Sequence, residues 1–395
     1  MKFLRDLAKK RLKGKICLLR VDLNIEKADE KTSLRIKAIL PTLEFLIKRG
    51  VKVLILSHRG RPDGFAPSLS LKNFTLIFGR LFKKNIPFFE RFDFAEIRRL
   101  LEAAPAGSVF FLENLRFLKG EEENDPKLAE SLASLGDFYV NDAFAVCHRA
   151  NASVDAIAGF LPSFVGLLLE AEIKNLRKAI TAPKKPFVMI LGGAKISDKI
   201  GLINKFFKKA DYFLVGGGIA NTILAAKGTG VGVSLYEKNV LDFATKLAQN
   251  EKIIAPADVV VAKKVDSRNI GAFVRMPEDI GDAETVLDIG PRTVRKFGEI
   301  LREAKTVVWN GPLGFCEDER FARGSRNVLK IIAGTKAFSV IGGGETTALV
   351  EKMKIGKKFG FVSTGGGAML EFLSGKKLPG LAALEKSRIK LTFEK

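Results

Sequence analysis

Short apolar runs alternate with longer stretches of helical period along almost the whole chain. The first cycle runs from an apolar stretch at 16–22, through a helical pattern at 35–49, to a second apolar stretch at 51–56. A strand, a helix and a strand in this order form a βαβ unit, in which the two strands are parallel and the helix packs on their sheet. The alternation therefore predicts an α/β fold built on parallel sheets.

The alternation occurs in two blocks, which predicts two domains. A helical pattern covers 164–180 and is followed by Thr181-Ala-Pro-Lys-Lys-Pro186, where the prolines end the helix. The chain has 395 residues, more than one typical hydrophobic core contains. We therefore predict two Rossmann-like, doubly wound parallel-sheet domains, 1–165 and 186–377, joined by an interdomain helix and linker at 166–185. Strands of the second block are predicted at 187–191, 212–215, 259–261, 306–309, 338–341 and 359–362.

The chain is strongly basic. It contains 66 Lys and Arg residues against 44 Asp and Glu residues, a formal net charge of +22. An excess of this kind favours acidic partners, which include nucleic acid, anionic lipid surfaces and small polyanions. Charge alone does not choose among these classes.

Cysteine usage and the N-terminal sequence both indicate a reducing compartment. The three cysteines, Cys17, Cys147 and Cys316, are far apart and lack metal-ligand spacing, so neither a disulfide framework nor a zinc site is expected. The first residues carry charges where an export signal has an apolar stretch, which favours a cytoplasmic location. The apolar segment 156–171 is shorter than a membrane span and contains Pro162, so we expect a buried or interdomain helix there.

Polar residues follow the predicted strands, and in the first half arginine is prominent among them. Four such segments include both histidines of the chain: 20–24, 57–62, 113–117 and 141–149. Ligands of doubly wound sheets bind at the carboxyl ends of the strands, and an arginine fork binds carboxylate or phosphate oxygens bidentately. The pattern predicts a pocket for a small, highly charged anion. Structural salt bridges between neighbouring loops are the alternative explanation.

In the second half, glycine follows the predicted strands. The glycine-rich segments are 192–193, 216–218, 310–312, 342–344 and 365–367. The last two lead into helical patterns, which predicts two helix N-termini whose backbone amides can bind one phosphate chain. The sequence contains neither a Gly-x-x-x-x-Gly-Lys-Ser/Thr loop nor a dinucleotide fingerprint. We therefore expect a nucleotide polyphosphate site of another kind.

The segment 190–201 closes a predicted strand and opens a predicted helix. Lys195 and Lys199 are four residues apart, so on a helix they would share one face near its N-terminus, where negative charge is favoured. This arrangement predicts an anion between the two ammonium groups. A glycine turn followed by a solvated lysine face is the alternative.

Taken in order, these motifs resemble the phosphoglycerate kinase family over nearly the whole chain. The motifs that carry the resemblance are Arg20-Val-Asp-Leu-Asn24, Ser57-His-Arg-Gly-Arg-Pro62, Leu112-Glu-Asn-Leu-Arg-Phe117, Leu191-Gly-Gly-Ala-Lys195, Trp309-Asn-Gly-Pro-Leu-Gly314, Gly342-Gly-Gly-Glu-Thr346 and Ser363-Thr-Gly-Gly-Gly-Ala368. The resemblance implies a monomeric glycolytic enzyme that reversibly transfers the acyl phosphoryl of 1,3-bisphosphoglycerate to MgADP. The products are 3-phosphoglycerate and MgATP.

The resemblance also implies a role for individual residues. Phosphoglycerate would be bound in the first domain by Asp22, Asn24, Arg35, His58, Arg61, Arg116 and Arg149. The nucleotide would be bound in the second by Gly192, Gly193, Lys195, Lys199, Gly217, Asn310, Pro312, Glu317, Gly344 and Thr346. The phosphoryl in flight would be surrounded by Arg35, Lys195, Gly343, Gly344, Gly366 and Gly367. Glu345 would bind Mg²⁺, and no side chain is needed as a nucleophile.

The two substrates would lie on different domains, so the resemblance implies that a hinge closes, with the 164–180 helix as the candidate hinge element. It also implies that the tail, about 378–395, packs back on the first domain. Three residues depart from the family pattern. Glu345 stands where Asp is more usual, and its longer arm would shift the metal or leave a bridging water. Asn151 stands where a histidine is usual, which removes one substrate hydrogen bond or proton. Arg59 stands where an apolar residue is common; it either contacts the substrate or faces solvent, and we expect it to face solvent.

Two other functions are compatible with the sequence. The basic residues Lys9, Lys10, Arg11, Lys13 and Lys15 can form the core of a nucleic-acid or anionic-surface binding site, although interleaved aromatics and a recognisable nucleic-acid module are missing. The arginine pocket is also compatible with a related kinase that acts on a different phosphorylated carboxylic acid.

Overall fold

The computed structural model describes residues 1–8, 10–25, 33–263 and 271–391. The chain divides into two compact units. The first unit is formed by Met1–Lys174 together with the C-terminal residues from Gly375 onward, and the second by Asn175–Ser374. Lys9 of the basic cluster and positions 392–395 of the tail lie outside the described residues.

The first unit contains a parallel sheet of six strands. Its strands are β1 (Ile16–Arg20), β2 (Lys52–Leu56), β3 (Phe88–Phe89), β4 (Val109–Leu112), β5 (Phe138–Asn141) and β6 (Ser163–Val165). They lie side by side in the order β3, β4, β2, β1, β5, β6. All residues of β1, β2, β4 and β5 are buried, as expected for a parallel sheet that is covered on both faces.

Helices follow most of these strands, and side chains fix where several of them begin. The helices are α1 (Leu34–Lys48), α2 (Lys72–Phe82), α3 (Phe94–Ala103), α4 (Pro126–Ala133) and α5 (Leu167–Thr181). The side chains of Ser33, Asp93 and Asp125 accept backbone N–H bonds at the starts of α1, α3 and α4, which satisfies donors that a helix leaves unpaired. Short 3₁₀ turns lie at Leu4–Leu7, Pro67–Leu69, Leu115–Phe117, Phe144–Val146 and Ala156–Gly159.

The second unit contains another parallel six-stranded sheet and a smaller antiparallel one. Its strands are β7 (Phe187–Leu191), β8 (Tyr212–Val215), β9 (Ile253–Ile254), β10 (Val259–Ala262), β11 (Phe273–Arg275), β12 (Thr285–Ile289), β13 (Thr306–Asn310), β14 (Phe338–Gly342) and β15 (Phe361–Val362). The parallel order is β15, β14, β13, β7, β8, β9, and the antiparallel order is β11, β10, β12.

The helices of the second unit alternate with these strands. They are α6 (Ile200–Phe206), α7 (Gly217–Ala226), α8 (Leu241–Ala248), α9 (Pro291–Glu303), α10 (Arg323–Ala333), α11 (Gly344–Lys352) and α12 (Gly367–Ser374). Short 3₁₀ turns lie at Ser197–Lys199, Lys238–Val240, Pro277–Asp279, Glu319–Phe321 and Gly356–Lys358. A final helix, α13 (Pro379–Lys386), belongs to the first unit, where the amide of Gly380 donates to the carbonyl of Cys147.

Each unit has its own hydrophobic core between sheet and helices. In the first unit, Leu19 and Phe111 of the sheet pack in one cluster with Phe78 of α2. In the second, the fully buried Trp309 of β13 packs in one cluster with Phe297 of α9 and other residues of α10 and α11. These cores hold the carboxyl ends of the central strands in fixed positions.

The predicted α/β class with two parallel sheets is confirmed, and two local predictions are wrong. The apolar segment 156–171 is a 3₁₀ turn, strand β6 and the start of α5, because Ser163–Val165 pairs with β5. The run 259–261 is a strand as predicted and belongs to β10, but it pairs antiparallel with β11 and β12 instead of joining the parallel sheet. Among the described helices, none combines the length and the apolar character needed to cross a bilayer.

Candidate active site

Asp22 and Asn24 follow β1, and both contact neighbouring loops at the carboxyl edge of the first sheet. The buried Asp22 lies 2.9 Å from a guanidinium nitrogen of Arg35, which also donates to the carbonyl of Asn24 over 2.7 Å. The Asn24 side-chain oxygen accepts from the amide of Gly60 over 2.9 Å. The start of α1 and the loops after β1 and β2 therefore meet at one place.

Arg116 and Arg149 come from the loops after β4 and β5 and face one carboxylate. Arg116 lies 2.9 Å and Arg149 lies 3.8 Å from the same oxygen of Glu122. Arg116 also donates to the carbonyl of Gly60, whereas Arg61 is exposed. Two cations that share one carboxylate leave an excess of positive charge, so the salt bridges do not neutralise the pocket.

His58, which follows β2, is buried among these cations. Its pKa is lowered well below the usual value for histidine, first by burial and then by neighbouring guanidiniums, those of Arg20, Arg116, Arg149 and Arg35. Both causes disfavour the imidazolium. His58 is therefore neutral at pH 7, and the pocket combines a neutral imidazole with several arginines.

Two residues that depart from the family pattern donate hydrogen bonds to backbone carbonyls within the first unit. Arg59 is half-buried and donates to the carbonyls of Ile25 and Ser68 over 3.1 and 3.2 Å, so the prediction that it faces solvent is wrong. Asn151 is buried and donates to the carbonyl of Glu121 over 3.1 Å. These side chains hold the loops that carry the pocket.

In the second unit, the prediction that Lys195 and Lys199 share a helix face is wrong. Helix α6 begins only at Ile200, because Gly193 turns the chain with a φ of 101° and Glu237 binds the amide and hydroxyl of Ser197 over 2.9 and 2.7 Å. Lys195 is exposed in the loop. Lys199 is buried at the helix start instead.

Lys199 donates to the side-chain oxygen of Asn310, at the end of β13, over 2.6 Å. Burial lowers the pKa of Lys199 from 10.5 to about 8, with a smaller opposing effect of Asp198. The group is thus a desolvated cation that gains from a nearby anion.

The glycines after β7 and β8 allow three loops to interlock. The amides of Gly193 and Gly217 donate to the carbonyls of Pro312 and Leu313, both over 2.9 Å. A Cβ at Gly192 would collide with the carbonyl of Pro312. The loops after β7, β8 and β13 consequently form one continuous surface.

Beside this surface lies a cleft of about 310 Å³. Predicted site residues Gly193, Gly217, Pro312, Glu317 and Glu345 line it. The sequence did not reveal the apolar wall, Leu235, Leu287 and Phe315, since these side chains belong to no strand-end motif. A cleft with apolar walls and a few polar groups suits a ring-containing small ligand.

Two helices begin with glycine at the carboxyl ends of β14 and β15. Gly343, with a φ of 94°, precedes the first residue of α11, Gly344, and α12 begins at Gly367. The space beside Gly344 and Gly366 is open, whereas Thr346 is buried. Open helix N-termini of this kind bind phosphate.

Glu345 lies on the exposed side of the first turn of α11. Its pKa is raised by partial desolvation and then by the charge of Glu317. Among the described residues, no cluster of three or more His, Cys, Asp or Glu side chains is placed to hold a metal ion. A single carboxylate is nevertheless a suitable donor for Mg²⁺ that is mainly bound by phosphates.

One unit thus carries an arginine-rich anion pocket, and the other carries a ligand cleft beside phosphate-binding helix N-termini. Together with two parallel α/β sheets, these features define a phosphotransferase that uses a nucleotide and a small anionic substrate.

Comparison with known proteins identifies the family. The family model described as "Phosphoglycerate kinase" matches residues 5–376. The chain is 44% identical to a phosphoglycerate kinase of Herpetosiphon aurantiacus over 94% of this chain and 96% of the relative. It is 42% identical to a cytosolic one of Triticum aestivum over 95% of this chain and 96% of the relative. The chain belongs to the phosphoglycerate kinase family.

Solved structures agree. The phosphoglycerate kinase of Coxiella burnetii superposes with a TM-score of 0.81 at 36% identity, covering 97% of this chain and 99% of that one. The enzyme of Pyrococcus horikoshii superposes with a TM-score of 0.86 at 33% identity, covering 98% and 99%. The resemblance inferred from the motifs, the fold class and the assignment as a kinase are confirmed.

Proposed function

We propose that the chain reversibly transfers the acyl phosphoryl of 1,3-bisphosphoglycerate to MgADP, giving 3-phosphoglycerate and MgATP. One observation carries the proposal. An anion pocket made of arginines and a neutral histidine lies at the strand ends of one unit, and a nucleotide-sized cleft with open helix N-termini lies at the strand ends of the other.

The phosphoglycerate is bound at the arginine pocket. Arg35, Arg61, Arg116 and Arg149 supply forks for phosphate and carboxylate oxygens, and His58 supplies a neutral ring. Asp22 forms an ion pair with Arg35, and the carbonyl of Asn24 accepts a hydrogen bond from the same guanidinium. These contacts orient the arginine before the substrate arrives, so less entropy is lost on binding.

The nucleotide is bound in the second unit. Its base and ribose occupy the cleft beside Gly193, Gly217, Pro312 and Glu317. Its phosphates reach Lys199 and the start of α11, where Gly344 and Thr346 lie. A buried ammonium and free helix amides favour negative charge at this place.

Mg²⁺ fits at Glu345, since the raised pKa of this carboxyl reflects partial desolvation and a neighbouring carboxylate, both of which a bound cation relieves. When bound together with the nucleotide, Mg²⁺ would supply neutralisation of phosphate charge. The glutamate keeps the carboxylate of the more usual aspartate.

Transfer proceeds directly between the two substrates, because the carboxylate oxygen of 3-phosphoglycerate or the phosphate oxygen of ADP attacks phosphorus. The protein then positions the reactants and stabilises charge on the transferring group. Arg35, Lys195 and the amides of Gly343, Gly344, Gly366 and Gly367 serve this purpose once the two units close and exclude water. The helix at 164–180 is the proposed hinge element, and it overlaps the proposed interdomain segment 166–185.

We also propose a cytoplasmic monomer. The cytosolic relatives of Triticum aestivum and Nicotiana tabacum support this location. For partners we propose only the small-molecule substrates, with no nucleic acid or membrane surface among them.

A coupled assay of ATP consumption with 3-phosphoglycerate and Mg²⁺ tests the proposal. The native protein should turn over, and Lys195→Ala and Arg35→Ala should each lose most of the activity. Other phosphorylated carboxylic acids in the same assay test for a related kinase. An inactive native protein, or full activity in both variants, contradicts the proposed mechanism.

A further inference from the structure

A buried arginine, Arg20, lies next to His58 at the carboxyl end of β1. Only 1% of Arg20 is exposed. Its Nε donates to the hydroxyl of Ser153 over 2.8 Å, and one terminal nitrogen donates to the carbonyl of Val21 over 2.6 Å. The other terminal nitrogen lies 3.2 Å from Nδ1 of His58. All three guanidinium nitrogens are thus engaged inside the protein, and Arg20 is not available to a ligand.

A buried carboxylate also faces the guanidinium. Glu121, which is 1% exposed, lies 3.8 Å from the nitrogen that faces His58. Glu121 accepts from the hydroxyl and amide of Ser153 over 2.6 and 3.0 Å. Ser153 therefore accepts from Arg20 and donates to Glu121, which fixes the orientation of the guanidinium.

This contact decides where His58 carries its proton. A guanidinium has donors and no acceptor, so Nδ1 of His58 must accept. A neutral imidazole has one N–H, which then lies on Nε2. An imidazolium or the opposite tautomer would place two N–H groups against each other.

We propose that Arg20 is a positioning residue that selects the Nε2–H tautomer of His58, so that this ring donates to the anionic substrate. The role toward the substrate rests on the proposed function. With the opposite tautomer, Nε2 would present a lone pair to an anion, which repels it, whereas an N–H forms a charge-assisted hydrogen bond.

Nitrogen NMR on the native chain tests the tautomer directly. The chain has two histidines, so a sample labelled with ¹⁵N in histidine gives two imidazole signal sets, and His148→Gln assigns them. The expected result at pH 7 is a pyrrole-like shift at Nε2 of His58 and a pyridine-like shift at Nδ1. A pyrrole-like shift at Nδ1, or signals of an imidazolium, overturns the proposal. This measurement needs neither a variant at Arg20 nor a substrate.

Kinetics of Arg20→Lys provide the second readout. The single ammonium group of lysine replaces the guanidinium and cannot reach both Ser153 and His58. Both tautomers of His58 should therefore be detected. The KM for 3-phosphoglycerate should rise roughly tenfold, as expected for loss of one charge-assisted hydrogen bond, with the KM for ATP unchanged. Tyr139→Phe is the matched control, because this buried hydroxyl donates to the carbonyl of Ser153 over 2.8 Å and is not one of the three hydrogen-bond partners of the Arg20 guanidinium.

The control should keep the native tautomer and the native KM for 3-phosphoglycerate. If Arg20→Lys keeps both as well, or if Tyr139→Phe changes them equally, Arg20 has no positioning role. Should Arg20→Lys fail to fold, the NMR result on the native chain still decides the tautomer. Absence of turnover with 3-phosphoglycerate in the native chain contradicts the proposed function and leaves the tautomer result intact.

Discussion

Nucleotide affinity is expected to weaken as the pH rises through 8, because Lys199 then loses its proton. Burial lowers the pKa of Lys199 from 10.5 to about 8 in the free protein. Nucleotide phosphates beside the amine favour the charged form and raise its pKa on binding. Since the protonated amine forms the stronger hydrogen bond to phosphate, affinity follows the fraction of free protein that carries this proton.

The size of the change in affinity follows from the difference between the pH and the pKa of Lys199. At pH 9, about one Lys199 side chain in ten keeps its proton in the free protein. The Kd for MgADP should therefore be about tenfold weaker at pH 9 than at pH 7, which corresponds to about 1.4 kcal/mol. The ADP phosphates contribute little in this interval, because the last pKa of a phosphate ester is about 6.

Isothermal titration calorimetry at several pH values measures both the Kd and the uptake of protons. Between pH 8 and 9, binding should take up protons, detected as a heat that depends on the buffer. Lys199→Met should bind more weakly at pH 7 and lose the pH dependence above 7. Lys195→Met, at the exposed lysine of the same loop, should retain it. A Kd that is constant from pH 7 to 9, or a dependence that persists in Lys199→Met, refutes the reasoning.

Three further outcomes follow from the second unit. Gly192→Ala should lower the free energy of unfolding by about 2 kcal/mol in denaturant titrations, since the added Cβ would collide with Pro312. Gly344→Ala is the control and should not lower it, because the space beside Gly344 is open. Equal losses of unfolding free energy in the two variants contradict this prediction. Burial raises the pKa of Asp288 from 3.8 to about 7. Between pH 4 and 7 the folded chain holds a proton on Asp288 that the unfolded chain releases. This residue therefore contributes less stability as the pH rises through that interval. Asp288→Asn should show a smaller loss of Tm between pH 5 and 8 than the native chain. Glu345→Gln should need about tenfold more Mg²⁺ for half-maximal activity at an unchanged KM for 3-phosphoglycerate; an unchanged Mg²⁺ requirement argues against the metal assignment.

The positions of the candidate site residues could be predicted because they depend on local pattern. Strand and helix periodicity located β1, β2, β7 and β13, and the residues after parallel strands lie at one edge of a sheet. Asp22 and Asn310 are placed there for this reason. Their roles toward substrates stay predictions.

What the sequence did not reveal depends on contacts between distant residues. The loop that separates Lys195 from α6 is held by Glu237, 40 positions from Ser197. Arg20 is oriented by Ser153, 133 positions away. Strand β12 has partly exposed residues at its start and pairs antiparallel with β10, so its pattern differs from that of the buried parallel strands. Periodicity within a short window carries no information on such contacts.

The central claim is that Lys195 acts on the transferring phosphoryl while Lys199 holds the nucleotide. The most direct test compares kcat with the Kd for MgADP in Lys195→Ala. The kcat of this variant should be at least about 100-fold lower than that of the native chain, the size expected when one positioned charge is lost. Its Kd for MgADP should stay within about threefold of the native value. A variant that keeps its kcat and binds MgADP much more weakly would contradict it.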